Sequence, residues 1–209
     1  MLRLLDLYCC QGGAGKGYSN AGFEVVGVDI VPQPRYPLEF VQGEAIQFLL
    51  NYGHQFDLIH ASCPCQFYSK TQRIRQNHHP DLLAPTRTAL NAIGVPWVLE
   101  NVMGALPEMR DPVMLCGAYF GLKTYRHRLF ESGGWTLPQP EHAPHMRRQT
   151  KMGRRRKPGE MGYYVGNFIG VEDAKDDLCV PWMSREGVRE CIPPAYAEYV
   201  GEAFIEQLE

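Results

Sequence analysis

Short apolar runs alternate with helix-like stretches along most of the chain. Apolar runs of about four to eight residues that end at turn-forming residues are typical of buried strands, whereas helices show a longer period. The pattern predicts strands at 4–8, 25–28, near Phe40, 56–62, 96–101, 113–116 and 129–132. It predicts a short helix after the first strand and further helices at 46–52, 82–93 and 195–208. Alternating strands and helices indicate an α/β fold with a largely parallel sheet.

The regular pattern fades from residue 133 to about residue 181. This stretch has little hydrophobic periodicity and contains the basic segment MRRQTKMGRRRK. A chain of 209 residues is long enough for one domain with its own core. We therefore predict a single α/β domain that carries a small irregular appendage.

Composition narrows the class of protein. The formal net charge of −2 gives no global attraction for nucleic acid, so such binding would depend on a local basic patch. Seven cysteines, an odd number scattered among strand-like segments, are typical of a reducing cytoplasm and not of a disulfide framework. No stretch approaches the roughly 18 apolar residues of a membrane span, and the first residues lack a signal-peptide pattern. We expect a cytoplasmic protein without a membrane partner.

The glycine-rich stretch DLYCCQGGAGKGYSNAGFEVVGVDI looks at first like a phosphate-binding loop. A P-loop requires a hydroxyl residue after its lysine, but Gly17 follows Lys16, and Cys10 occupies the position of the first glycine. The glycine spacing also fails the dinucleotide-binding pattern. Asp29 nevertheless ends the second predicted strand, where an acid can accept hydrogen bonds from a ribose. A glycine-rich turn without a ligand remains the alternative at this point.

Three predicted strands end in or near a reactive side chain: Asp29, Cys65 and Glu100. Ligands and catalysis are concentrated at the carboxyl ends of strands in open α/β sheets. Cys65, in a polar loop after its strand, is a candidate nucleophile that would need a lowered pKa or a nearby base. No cysteine or histidine spacing matches a known zinc pattern, so the sequence predicts no metal. Three further cysteines are expected to be small buried apolar residues: Cys116, Cys179 and Cys191.

Five segments follow one another in the order and spacing of a known family. They are DLYCCQGG with AGFEVVGVDI, SCPCQFYS, LENV, TYRHR and IPPAYAEYVGEAF. Together they resemble the cofactor-loop, nucleophile-loop, E-N-V, Q-x-R-x-R and closing P-P motifs of the DNA (cytosine-5)-methyltransferases, in particular compact phage or prokaryotic ones. The resemblance implies a Rossmann-like S-adenosylmethionine-dependent methyltransferase fold with a small irregular target-recognition appendage. Residues 1–132 would form the catalytic domain, 133–181 the recognition region, and 182–209 a segment that returns to the catalytic domain.

The resemblance implies that the first loop binds S-adenosyl-L-methionine. Asp29 would then bind the ribose, Ile30 would lie against the adenine, and Glu44 would contact the adenine amino group. The full set of positions that the family pattern assigns to this cofactor is Tyr8, Gly12, Gly13, Asp29, Ile30, Glu44, Pro64 and Glu190.

The resemblance also assigns the chemistry. Cys65 would add to carbon 6 of cytosine, and Glu100 would protonate N3, because a carboxyl near an apolar strand end can stay protonated. Asn101 would anchor the Cys65 loop. Arg126 and Arg128 lie two positions apart, so on a strand they would share the face that holds the base. Since a stacked base is out of reach, the target cytosine must be flipped out or single-stranded.

DNA is the expected partner, and the protein is expected to act as a monomer. Phosphate contacts would come from the basic run, which lies in the recognition region. The expected DNA-binding residues are Gln66, Ser69, Arg147, Arg148, Lys151, Arg154, Arg155, Arg156 and Lys157.

The chain departs from the family pattern at four positions. Cys10 replaces a loop glycine, Cys63 the first proline of the nucleophile motif, and Thr124 the glutamine of Q-x-R-x-R. Glu190 replaces an asparagine near the methionine end of the cofactor, so a modified sulfonium donor is an alternative to S-adenosylmethionine. The same motifs would also fit an RNA-directed enzyme or a catalytically silent nucleic-acid-binding relative.

Overall fold

The computed structural model describes residues 1–68, 80–142 and 144–208. Ser69 therefore lies outside the described residues, and its proposed DNA contact stays a prediction. Seven strands form one sheet: β1 (Arg3–Leu7), β2 (Glu24–Asp29), β3 (Glu39–Gln42), β4 (Leu58–Ser62), β5 (Trp97–Val102), β6 (Val113–Leu115) and β7 (Arg128–Gly133).

Six α-helices are present in the described residues: α1 (Gly13–Asn20), α2 (Ala45–Tyr52), α3 (Leu83–Ile93), α4 (Val171–Leu178), α5 (Arg185–Glu190) and α6 (Pro194–Glu206). Three short 3₁₀ turns accompany them, at Gly53–Gln55, Gln66–Tyr68 and Met103–Glu108. None of these helices is long and apolar enough to cross a membrane.

The strands are arranged in the order β3-β2-β1-β4-β5-β7-β6. The first five in this order are parallel, whereas β7 runs antiparallel between β5 and β6. Strand order reverses beside β1, where β2 and β4 flank it, and such switch points form ligand-binding crevices. The predicted α/β fold with a largely parallel sheet is confirmed.

Helices cover both faces of the sheet. Leu5 and Leu7 belong to one apolar core with residues of α2 and α3, while Leu4 belongs to a second core with residues of α1 and α6. This is the arrangement expected of a strand that is buried on both sides. The two cores hold the carboxyl ends of the parallel strands in a fixed row.

The closing helix α6 packs closely on α1, so the end of the chain returns to the first βα unit. A β-carbon on Gly17 would lie only 2.1 Å from the Pro194 carbonyl oxygen, and one on Gly201 would lie 2.9 Å from Ala21 Cβ. Neither contact leaves room for a larger side chain. The two helices therefore approach each other through their glycines, and this brings residues 188–192 next to the first loop.

The region from residue 133 to 181 is more regular than its sequence suggested, because α4 lies within it. A third apolar cluster joins α4 to α5 through buried side chains such as Phe168, Leu178 and Val188. Two isolated bridges, Thr124 with Gly162 and Gln149 with Met161, add the only other β pairing outside the named strands in the described residues. The appendage thus shares a small core with the beginning of the segment 182–209.

Candidate active site

A cleft of about 400 Å³ opens at the carboxyl ends of β1, β2, β4 and β5. Strand-end residues form its floor, among them Asp29, Ser62 and Glu100, and the loop of residues 63–66 forms one wall. The predicted site residues that line it are Tyr8, Gly13, Asp29, Ile30, Pro64, Cys65, Gln66, Glu100, Arg128 and Glu190. The structure therefore brings most of the predicted cofactor and catalytic positions to one crevice.

The loop after β1 turns sharply through residues with positive φ: Tyr8 at 58°, Cys10 at 45° and Gly12 at 79°. The backbone N–H of Cys10 donates to Asp29 Oδ2 at 3.0 Å, which ties this loop to the end of β2. A β-carbon on Gly13 would lie 2.2 Å from the Ile192 carbonyl oxygen. Gly13 thus makes room for the closing segment of the chain, and Gly12 is not part of the cleft wall.

Asp29 and Ile30 lie where the end of β2 meets the cleft. Besides the Cys10 contact, Asp29 accepts a hydrogen bond from the Val31 backbone N–H at 3.0 Å, so both of its oxygens are held in place. Each carboxylate oxygen has a further lone pair for a ligand hydroxyl. Ile30 is 67% exposed, which is unusual for isoleucine at the end of a buried strand. An apolar side chain held open in this way suits contact with a planar ring.

Glu44 does not line the cleft. Its carboxylate caps the start of α2, where it accepts hydrogen bonds from the backbone N–H groups of Ile46 at 3.1 Å and Gln47 at 2.7 Å. This is the usual role of an acid at a helix N-cap. The adenine contact suggested for Glu44 stays a prediction.

Glu100 and Arg128 form an ion pair inside the cleft. Arg128 Nε lies 3.2 Å from Glu100 Oε1, and the two side chains are 10% and 4% exposed. Burial raises the pKa of the Glu100 carboxyl to about 7, against the opposing effects of Arg128 and the Ser62 hydroxyl. Glu100 Oε1 has no hydrogen-bond partner among the described residues. The carboxyl can therefore carry a proton near neutral pH, and the contact between its Oε1 and Arg128 is an ion pair without good hydrogen-bond geometry.

The loop after β4, which carries Cys65, is fixed to β5 by Asn101. Asn101 Nδ2 donates to the Cys63 carbonyl oxygen at 3.3 Å, and its Oδ1 accepts from the Val102 N–H at 2.9 Å. Cys65 is half-buried in the cleft wall. Burial raises the pKa of its thiol, and the Arg128 guanidinium opposes this only in part, so the lowered pKa expected of a nucleophile is not seen. The next residue, Gln66, has a buried Oε1 without a hydrogen-bond partner in the described part of the chain.

Arg126 and Arg128 do not share a strand face, so this prediction is wrong. Strand β7 begins at Arg128, and Arg126 precedes it with a φ of 34°, which breaks the strand alternation. The Arg126 guanidinium donates to four backbone carbonyls, those of Tyr164, Val188, Arg189 and Cys191, at 2.8–3.3 Å. It clamps the closing segment to the sheet instead of lining the cleft.

Glu190 lies at the edge of the cleft, opposite the first loop. The thiol of Cys10 lies 3.8 Å from Glu190 Oε2. Burial raises the pKa of the Glu190 carboxyl, and Asp29 and Glu186 act in the same direction while Arg189 opposes it. Two positions that depart from the family pattern, Cys10 and Glu190, are therefore in contact with each other.

The basic run divides into two parts. Arg154 contacts Glu160 at 2.6 Å, Arg155 contacts Asp173 at 2.8 Å, and Arg156 contacts Asp177 at 2.7 Å. These three arginines therefore have internal partners. Within the described residues, no such ion pair is formed by the side chains of Arg147, Arg148, Lys151 and Lys157.

Solved structures share the overall architecture of this chain. The chain superposes over 100% of its length on 99% of a protein described as a putative DNA modification methyltransferase encoded within an E. coli prophage, with a TM-score of 0.70 and 15% identity. It superposes equally completely on the Dnmt2 methyltransferase of S. pombe, with a TM-score of 0.64 and 12% identity. The chain has the fold of these methyltransferases.

The likeness is one of structure. No protein-family model and no curated protein sequence matches the chain. At 15% and 12% identity, the superpositions establish the methyltransferase fold and leave the reaction and the substrate to be argued from the site.

Sequence reasoning missed several residues that shape the cleft. Asp6, in β1, is fully buried and accepts a hydrogen bond from the Tyr36 hydroxyl at 3.0 Å. β-Carbons on Gly15 and Gly27 would lie 2.4 and 2.3 Å from the Tyr36 side chain, so both glycines make room for it. An aspartate inside an apolar strand is a signal that could have identified Asp6. Met183 also lines the cleft, but nothing in its sequence context marks it.

Proposed function

We propose that this protein is a DNA cytosine-5 methyltransferase that uses Cys65 as nucleophile and S-adenosylmethionine as methyl donor. The observation that carries the proposal is the Glu100 carboxyl, buried beside Arg128 with a pKa of about 7, in the same cleft as Cys65. A thiol nucleophile and a proton donor of this kind are the two groups that addition to a cytosine ring requires.

The charges of the cleft fit a cationic donor. Four carboxyl groups line it, those of Asp6, Asp29, Glu100 and Glu190, and Arg128 is the one basic side chain among the lining residues that the structure describes. Burial raises the pKa of Asp6, Glu100 and Glu190, but the lining still has no excess of positive charge, so it suits a positively charged ligand better than a nucleotide phosphate. S-Adenosylmethionine, when bound, supplies an electrophilic methyl group on a sulfonium.

Asp29 and Ile30 would hold the nucleoside part of this donor, as a hydroxyl acceptor and an exposed apolar contact. Glu190 would lie near its amino group. The exposed Ile30 and the remaining lone pairs of Asp29 support these assignments. A modified sulfonium donor is the alternative to S-adenosylmethionine, because Glu190 stands where the family pattern has an asparagine near the methionine end of the cofactor.

In the proposed reaction, the Cys65 thiolate forms a bond to carbon 6 of cytosine, and Glu100 gives its proton to N3. The ring then becomes an enamine whose carbon 5 can take a methyl group. Removal of the carbon 5 proton by a base and departure of Cys65 restore the aromatic ring. Protonated Glu100 favours the reactive thiolate, because an ionised Glu100 would raise the pKa of the Cys65 thiol.

The substrate is proposed to be DNA with its target base flipped out of the stack. The structural relative described as a putative DNA modification methyltransferase supports DNA over RNA. The side chains of Arg147, Arg148 and Lys151, which lie at exposed positions, would supply phosphate contacts.

Nucleoside mass spectrometry tests the proposal. DNA and RNA are each incubated with the protein and S-adenosylmethionine, and we expect 5-methylcytosine in DNA. Methylated cytosine in RNA alone would move the substrate to RNA, and a different cytosine adduct after supply of cell extract would indicate a modified donor. Cofactor binding without any product would favour a catalytically silent nucleic-acid-binding relative.

Paired cysteine variants test the nucleophile. Cys65→Ala should abolish transfer, whereas Cys63→Ala should retain much of it, because burial raises the pKa of the Cys63 thiol to about 12 and keeps it unreactive. DNA that contains 5-fluorocytosine should trap the wild-type protein covalently, since fluorine blocks the final elimination. A peptide map that finds the adduct on Cys63 would contradict the assignment.

A further inference from the structure

Four potential metal ligands converge at a place separate from the cleft. One ligand atom each of Cys116, His127, His142 and His145 lies within 4.8 Å of all the others. None of the four lines the cleft. Cys116 is buried and His127 is half-buried, whereas His142 and His145 are exposed, so an ion could reach the group from solvent.

Two of the six distances between these atoms match the edges of a tetrahedral zinc site, and the others are at most 4.8 Å. Cys116 Sγ lies 3.4 Å from His145 Nε2, and His127 Nε2 lies 3.2 Å from His142 Nε2. With zinc–sulfur and zinc–nitrogen bonds of about 2.3 and 2.0–2.1 Å, tetrahedral angles give sulfur–nitrogen and nitrogen–nitrogen edges of about 3.5 and 3.3 Å. A hydrogen bond between two imidazoles would explain one of these contacts. It would not explain why a thiol and a third imidazole face the same point.

The fold itself brings the ligands together. Leu115 pairs with Arg128 in the antiparallel β6–β7 ladder, so the next positions outward, Cys116 and His127, face each other across the end of the ladder. The chain after β7 then returns with His142 and His145. These two lie 15 and 29 positions from their partners His127 and Cys116, which is why no compact zinc motif is visible in the sequence.

The surroundings of one ring are those of an oriented ligand. The Tyr125 ring stacks on His145 with centroids 3.6 Å apart and an interplanar angle of 11°, which fixes the orientation of that imidazole. Partners that orient the ligands are a regular feature of protein metal sites.

We propose that Cys116, His127, His142 and His145 bind a structural zinc ion. Four protein ligands leave no open coordination position, which is typical of structural and not of catalytic zinc. One thiolate with three imidazoles is a ligand set that suits zinc better than magnesium or calcium.

The site would fasten the start of the appendage to the edge of the sheet. Tyr125, which stacks on His145, also donates its hydroxyl to the Arg147 carbonyl at 2.7 Å and accepts from the Arg147 N–H at 3.1 Å. Zinc at this point would therefore hold Arg147 and Arg148 in a fixed position relative to the cleft. This consequence depends on the proposed DNA substrate, whereas zinc binding itself does not.

Metal analysis of untagged full-length protein tests the proposal. After purification with zinc in the medium, we expect about one zinc ion per chain, as for a closed four-ligand site. Cys116→Ser and His142→Ala should each lose most of this zinc. The matched controls are Cys179→Ser and His54→Ala, which change an exposed cysteine and an exposed histidine outside the cluster and should retain it.

Cobalt substitution supplies a readout of the ligands themselves. Wild-type protein loaded with Co²⁺ should show the visible bands of a tetrahedral ion and a thiolate-to-metal charge-transfer band. Cys116→Ser should lose the charge-transfer band, while circular dichroism checks that each variant is folded. His142→Ala, at an exposed position, provides the test if Cys116→Ser fails to fold.

Two results would overturn the proposal. One is folded wild-type protein that holds far less than one zinc after reconstitution. The other is a zinc content in folded His142→Ala equal to that of the wild type. If the wild-type protein binds zinc but transfers no methyl group, the result counts against the proposed function and leaves the zinc proposal standing.

Discussion

Replacing Glu100 by glutamine examines the proton donor of the proposed reaction. Burial raises the pKa of this carboxyl from 4.5 to about 7. The difference corresponds to roughly 3 kcal/mol against the ionised form, so about half of the molecules carry the proton near pH 7. Glutamine keeps the shape of the side chain and can still donate a hydrogen bond, but it cannot deliver a proton to N3.

General acids of this kind contribute about 10²–10⁴ to rate, so we expect Glu100→Gln to lower single-turnover methyl transfer by about this factor. The affinity for S-adenosylmethionine should change by less than about tenfold, or roughly 1.4 kcal/mol. Transfer of an isotopically labelled methyl group to DNA measures the first quantity, and calorimetric titration of the cofactor measures the second. Glu39→Gln, which changes an exposed strand carboxylate, is the control.

The pH dependence separates a proton donor from a merely structural carboxyl. The rate ratio of wild type to Glu100→Gln should be largest below pH 7 and should fall by up to about tenfold per pH unit above it, because only the protonated acid is active. Taking the ratio removes most of the opposing titration of Cys65. Ionisation of Glu100 also raises the pKa of the Cys65 thiol in the wild type alone, and this lowers the ratio further above pH 7, in the same direction. Equal turnover in the two proteins, or a ratio that does not change with pH, would refute the reasoning.

Three further predictions follow from other parts of the structure. Changing Arg147, Arg148 and Lys151 together to alanine should weaken DNA binding for all sequences and flatten its salt dependence by up to about one unit per lost phosphate contact. The triple alanine change at the ion-paired Arg154, Arg155 and Arg156 should have a smaller effect on both quantities. Equal effects of the two triple variants in binding titrations would contradict the division of the basic run. Arg87→Ala should destabilise the fold by about 3–5 kcal/mol in urea unfolding. The reason is that it leaves Glu131, 2.6 Å away and 3% exposed, as a buried unpaired charge. A loss below about 1 kcal/mol would show that the Glu131 carboxylate is hydrated in the variant. Burial raises the pKa of Asp6 from 3.8 to about 7. This carboxyl should therefore lower the free energy of unfolding of the wild type as the pH rises from about 4 to 7, by at most about 1.4 kcal/mol per pH unit, and Asp6→Asn should lack this slope. Parallel curves of stability against pH for the two proteins would count against a raised pKa of Asp6.

The strands could be predicted from the sequence because most of them are buried on both faces and therefore appear as continuous apolar runs. Their direction could not be predicted in the same way. The run 129–132 was identified as a strand, but its antiparallel insertion between β5 and β6 depends on the path of the chain after β6. Helix α4 was missed because only Ala174, Asp177 and Leu178 of its eight residues are buried, which leaves a weak apolar stripe.

The positions of charged side chains were harder to predict than the elements that carry them. Spacing alone placed Arg126 and Arg128 on one strand face. The positive φ of Arg126, just before β7, breaks the strand alternation, so Arg126 contacts the closing segment whereas Arg128 contacts Glu100. The acids that pair with Arg155 and Arg156 lie 18 and 21 positions away, both within α4. A basic run in a sequence thus indicates positive charge without showing how much of it remains available to a partner.

The glycine-rich loop shows why a sequence pattern can lead to a cleft for an incomplete reason. Glycines in such a loop can make room for a ligand or for the protein itself, and the surroundings of the missing β-carbons distinguish the two. Here the space beside Gly13 is taken by Ile192, and the space beside Gly15 by Tyr36 and Asp6. The cleft wall is formed instead largely by residues 8–11, whose backbone the positive φ values of Tyr8 and Cys10 turn toward the end of β2. Ligand specificity at this loop should therefore reside in Tyr8, Cys10 and their neighbour Glu190, while the glycines determine how closely the closing segment approaches.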